Sequence, residues 1–168
     1  MLMISVLLST LIISLPVSAY SYSGIHWGVN TVYYDISSLP ADWQTDIMMA
    51  ASTWNAAGSD FRLYPSSTSN NDVIRRWEQY NYDLAWSIVS ASNNIITDCD
   101  MIFNLRYGYT FFTSGTAPYR VRSVALHELG HWLMLNHNLI STSIMYGTYY
   151  MGYLSLDPDD IAGIQYIY

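Results

Sequence analysis

The chain has 168 residues, a formal net charge of −7 and 51% hydrophobic residues. That is enough for one domain and too little for two, because division would leave each core about half the usual size; only 11% of residues are charged, and the apolar content argues against disorder despite the net negative charge. All six bases are Arg, they form no basic run and 13 acids outweigh them, so nucleic acid and anionic membranes find no footprint; the single Cys excludes a disulfide framework and any multi-thiolate metal site.

Met1 to Val17 is apolar apart from Ser5, Ser9, Thr10 and Ser14. Its core, Ile4 to Leu15, fits the hydrophobic region of a secretory signal. Pro16 breaks the run, and Val17-Ser18-Ala19 supplies a small-residue cleavage site. The reading is a signal peptide over 1–19 and one domain over 20–168, hence a secreted protein with no stable membrane insertion after cleavage. No Lys or Arg precedes the apolar run, which leaves an uncleaved membrane anchor as the alternative. The stretch is slightly short of the roughly 20 residues that span a bilayer. After export Cys99 has no partner in its own chain, and its apolar surroundings make it a buried, inert thiol rather than an intermolecular bridge or reactive group.

Val29 to Ile36 predicts a strand through Val32, Tyr33, Tyr34 and Ile36. A helix follows from about Ala41 to Ala57, with Trp43, Ile47, Ala50, Ala51 and Trp54 on one apolar stripe and Gly58 placed to end it. Phe61 to Tyr64, Val73 to Trp77, Leu84 to Ala91 and Cys99 to Leu105 are strand candidates, with a polar loop over Pro65 to Asn71. Tyr107 to Ser114 is aromatic and Gly-punctuated, and its state stays open. A second helix runs from Arg120 to about Met134. The last begins at Asp157, which can cap it, with Pro158 at the first helical position and Asp159 and Asp160 complementing the dipole.

The stretch that carries chemistry is His127-Glu128-Leu129-Gly130-His131. Imidazoles four apart on a helix project from one face and can grip one divalent ion, while Glu128 on a neighbouring edge can reach a water rather than the ion. His137 lies six residues further on. On a straight helix it would sit about 15 Å from His127 along the axis. The helix must therefore end near Met134 or Leu135 and fold back. Three of the four His fall within eleven residues, which surface decoration does not explain.

Here the chain resembles the metzincin peptidases, and most closely the matrixins, whose signature is His-Glu-x-x-His-x-x-Gly-x-x-His followed by a Met-containing turn. The match holds at His127, Glu128, His131 and His137, and Ser143-Ile144-Met145-Tyr146 is similar to the Met-turn. Leu156 to Gln165 resembles the segment that opens the matrixin last helix. The resemblance implies an α+β zincin fold, with a twisted, mixed, mostly parallel sheet, three helices and an active-site cleft above the metal helix. It implies a zinc-dependent endopeptidase with one catalytic Zn2+ on His127, His131 and His137, Glu128 as general base, Met145 beneath the metal and Tyr146 in the pocket wall. The substrate is a protein or peptide bound extended along an edge strand, for which Cys99 to Leu105 is the candidate. The alternative is a secreted zinc-containing binding protein of the same fold without peptidase activity.

The chain departs from the family pattern at Met134, where the signature has Gly. Either Met134 takes an ordinary conformation and the turn shifts to Leu135-Asn136, or the turn is strained. Only His26 remains for the second, structural zinc common in such a family, so none is expected. The resemblance also implies Ca2+; Asp98, Asp100 and Asp157 are available oxygen donors, but no calcium loop is present and no ligand is assigned. Cys99 does not lie in the family's cysteine-switch motif, and no inhibitory pro-segment fits between Ala19 and Val29, so latency by that route is not expected.

Overall fold

The computed structural model describes residues 20–106, 108–115, 118–149 and 152–168. The signal-peptide reading over 1–19 lies outside the described residues, as does Tyr107 at the start of the open segment.

The sheet is organised around β6 (Ile95–Asn104), which reads as an almost continuous apolar run over its second half because it is buried there. On one side β6 runs parallel to β4 (Val73–Arg76), with Val73 opposite Met101, and to the short β1 (His26–Trp27), with Trp27 opposite Ile96. On the other side it is antiparallel to β5 (Ala85–Ser92). Asn93 and Asn94 join this hairpin with φ of 51° and 65°, the double left-handed conformation that two-residue hairpin turns require and Asn tolerates. β2 (Thr31–Tyr34) and β3 (Arg62–Pro65) pair in parallel, and an Asp35–Asp72 bridge links them towards β4. The arrangement is α+β and mostly parallel, as the sequence implied.

One expectation is overturned. Cys99 to Leu105 is not an edge strand, because β6 is paired on both sides. The tight Asn-Asn turn folds β5 back outside it, and β5 pairs with β6 alone among the described strands. Among the described residues of the open segment up to Ser114, Phe111–Phe112 form β7, paired with β8 (Tyr119–Arg120).

α1 (Ala41–Asn55) buries the predicted stripe of Trp43, Ile47, Ala50, Ala51 and Trp54. It packs on α2 (Val121–Trp132), where the Trp54 indole N–H donates to the Leu126 carbonyl at 2.8 Å inside the core. α3 (Pro158–Ile167) starts with the anticipated cap: Asp157 accepts from the Asp159 N–H, and Asp160 reaches back to the Asp157 N–H at 2.7 Å.

Candidate active site

α2 supplies the first two imidazoles. His127 and His131 lie one turn apart, edge to face, with ring centroids 4.8 Å from each other. The helix then closes through two backbone bonds, Leu135 N–H to the Gly130 carbonyl at 3.0 Å and Met134 N–H to the His131 carbonyl at 2.9 Å. This pair is the Schellman closure, which needs a left-handed residue just past the helix end. Met134 takes that role with φ of 64°, so the second alternative holds: the non-Gly residue carries the strain and the turn does not shift. Beyond it the chain is held by the N-terminal segment, through a Tyr22–Leu135 bridge and a bond from the Asn136 N–H to the Ser21 carbonyl at 3.2 Å.

That reversal brings His137 back over the helix. Its Nε2 lies 3.1 Å from His127 Nε2 and 3.2 Å from His131 Nε2. His127 Nδ1 bonds the Ile144 carbonyl at 2.6 Å, and His131 Nδ1 bonds the Leu135 carbonyl at 2.8 Å. A carbonyl only accepts, so both Nδ1 atoms carry the proton and both Nε2 lone pairs point inward. Burial lowers the pKa of His127 to about 3 and that of His131 to about 4, which keeps both rings neutral. Converging lone pairs repel unless a cation sits between them. Nitrogens at about 2.0–2.1 Å from a tetrahedral ion would be roughly 3.3 Å apart, close to the spacing here. The trio fits a zinc ion.

Glu128 is buried on the same helix, and its Oε2 accepts a hydrogen bond from the Ser87 hydroxyl of β5 at 2.9 Å. Burial raises its pKa to about 7, with the Ser87 bond opposing and Asp83 adding to the rise. The residues border a cleft of about 750 Å³ that Leu84, Val124, Tyr119, Tyr146 and Tyr149 also line. Tyr146 is half-buried there, and a side chain at neighbouring Gly147 would press to 3.0 Å from His137 Nδ1.

Met145 lies buried under α2, where a Cβ on Gly130 would overlap its sulfur. α3 holds this turn in place. Asp160 accepts from the Ser143 hydroxyl at 2.5 Å and the Ile144 N–H at 3.0 Å, and Ser143 Oγ accepts from the Met145 N–H at 2.9 Å. Asn138 bridges Ser143 and Asp159 at 2.8 and 3.1 Å. The carboxylate of Asp160 thus fixes the backbone whose carbonyl orients His127. Sequence reading met Asp160 as helix-dipole complement in the last-helix segment and Ser143 as part of the Met-turn match, without their bond to each other; it missed Asn138 and Ser87, which no local motif marks.

The remaining candidates lie apart from this trio. His26 on β1 bonds the Tyr22 hydroxyl at 3.1 Å. Asp157 is engaged by its cap and by the Thr142 hydroxyl at 2.7 Å, and Asp100 accepts from the Asp72 N–H at 2.8 Å. Cys99 is free and buried in β6, and burial, with Asp100, Asp98 and Glu128 nearby, pushes its thiol up.

Comparison with known proteins accords with this geometry. Residues 26–168 match the family model for matrixins. The chain belongs to the matrixin family. This matrixin is 33% identical over 162 residues to the hatching enzyme of Paracentrotus lividus, covering 87% of this chain and 27% of that protein. It is 29% identical over 159 residues to stromelysin-3 of Xenopus laevis, covering 90% and 25%. It is 48% identical over 87 residues to metalloendoproteinase 2-MMP of Arabidopsis thaliana, covering 51% and 23%. The chain spans about a quarter of the length of these relatives. Matrixins as a family are zinc metalloendopeptidases. No helix among the described residues is long and apolar enough to cross a membrane.

Proposed function

We propose that this chain is a secreted, zinc-dependent endopeptidase. The observation that carries the reading is the convergence of three Nε2 atoms, those of His127 and His131 lying 3.1 and 3.2 Å from that of His137, beside a buried carboxylate in an open cleft. His127, His131 and His137 would hold the ion. When bound, zinc supplies Lewis acidity that activates water near neutral pH and polarises the scissile carbonyl.

Glu128 accepts the water proton and returns it to the leaving amine. The substrate lies extended along β5, whose outer edge is paired with no other described strand; backbone bonds give affinity and the cleft gives side-chain selection. Secretion rests on the segment 1–19, and mass spectrometry of the mature N-terminus tests it: Tyr20 as first residue supports it, and an intact Met1 points to the anchor. The departure that favours a non-catalytic zinc-binding protein, Met134, does not displace His137, because Met134 adopts the left-handed turn itself.

The test is cleavage of a denatured protein with and without a chelator, alongside Glu128→Ala. Zinc retained with turnover lowered on the order of 10²–10⁴-fold is expected. Wild-type turnover by Glu128→Ala refutes the role of Glu128, and a zinc-loaded wild type that cleaves nothing leaves the binding-protein reading.

A further inference from the structure

We infer that Ser87 is a positioning residue that holds Glu128 in its working orientation and couples it to the strand on which substrate would lie; this rests on the peptidase reading above. Ser87 sits on β5, opposite Met101 of β6, and faces α2 from the sheet. Its hydroxyl donates to Glu128 Oε2 at 2.9 Å, with the Glu128 backbone oxygen at 3.3 Å. One short side chain therefore ties the carboxylate and its own backbone to the same point on β5.

A Glu side chain has three rotatable bonds, and its terminal torsion is broad and two-fold. Without that bond the carboxylate has more than one torsional orientation open to it, few of which address a water beside the three imidazoles. A fixed hydrogen bond selects one orientation before substrate arrives. It also divides the two oxygens, committing Oε2 to Ser87 and leaving Oε1 for the proton transfer.

Among the described strands β5 pairs only with β6, which leaves its outer backbone edge open. Anything that shifts β5 on adding a substrate strand shifts Ser87, and through it the carboxylate. The hydroxyl is thus a mechanical link between strand addition and the general base. Ser87 itself touches neither the reacting atoms nor the ion, so its effect falls on orientation and not on binding.

Ser87→Ala is the test, since it removes one oxygen from a strand position and leaves the packing nearly unchanged. Zinc content should match the wild type, and the melting temperature should stay within a few degrees of it. Turnover should fall roughly tenfold at unchanged KM, as expected for loss of one hydrogen bond to a charged group. Ser87→Thr, which keeps the hydroxyl and suits a strand, should restore most of kcat. A crystal structure of Ser87→Ala should show the Glu128 carboxylate turned or in two orientations. Unchanged kcat in Ser87→Ala, a loss seen only in KM, or a Glu128 orientation identical to the wild type would each overturn the inference. The crystallographic readout is independent of turnover. A wild type without peptidase activity would therefore refute the peptidase reading while Ser87 is still judged by Glu128 orientation.

Discussion

The sulfur of Met145 fills the space that any side chain at Gly130 would need, and the Trp54 ring would stand 3.0 Å from the same added carbon. Gly130 lies inside the His-Glu-Leu-Gly-His stretch, so the small residue between the two imidazoles is there for the turn beneath the helix. Gly130→Ala should push Met145 out of its seat. The expected cost is about 1–3 kcal/mol from overpacking, together with weaker zinc retention, because the Ile144 carbonyl that orients His127 moves with the turn. Urea denaturation and a chelator competition measure the two; a stable variant with unchanged zinc affinity contradicts this account of the packing.

Met134 offers a sharper comparison. With φ of 64° it pays for the left-handed turn, while its half-buried side chain packs against the core. Met134→Gly loses that packing but releases the strain, whereas Met134→Ala loses the packing and keeps the strain. The glycine variant should therefore be the more stable of the two by roughly 1 kcal/mol, the reverse of the order expected inside a helix. If alanine proves better tolerated in urea denaturation, the left-handed conformation of residue 134 is wrong.

Asp160 gives stability a pH dependence of its own. Burial raises its carboxyl above the ordinary range, against the lowering effect of the bonds from Ser143, Asp157, Ile144 and Met145. The unfolded chain then releases this proton first, from about pH 4. The folded state holds more protons above that point, so this group's contribution falls as pH rises through its folded pKa. Asp160→Asn removes that slope. Stability of the wild type relative to this variant should shrink between pH 4 and pH 7, and a difference that grows over that range contradicts the assignment.

What could be read from the sequence was local. Trp43 to Trp54 announced α1 because five apolar residues recur at one helical spacing, and Asp157-Pro158 announced α3 because a cap and its N1 Pro are adjacent. The two histidines of α2 and the need for a reversal before His137 followed from helix geometry alone. Pairing partners did not. Cys99 to Leu105 is the edge candidate by its place before the metal helix, as the family resemblance implies, and nothing within the strand shows that β4 and β5 flank it. Ser87 and Asp160 reach the site across 41 and 16 residues of sequence, to Glu128 and Ile144, and a serine or aspartate carries no local sign of such a partner.

The most direct test of the account is zinc-edge X-ray absorption of the purified protein, read with its metal content. The account predicts one zinc per chain with three imidazole nitrogens at about 2.0–2.1 Å, falling to two in His137→Ala. Protein that retains no zinc, or a first shell that His137→Ala leaves unchanged, would contradict it.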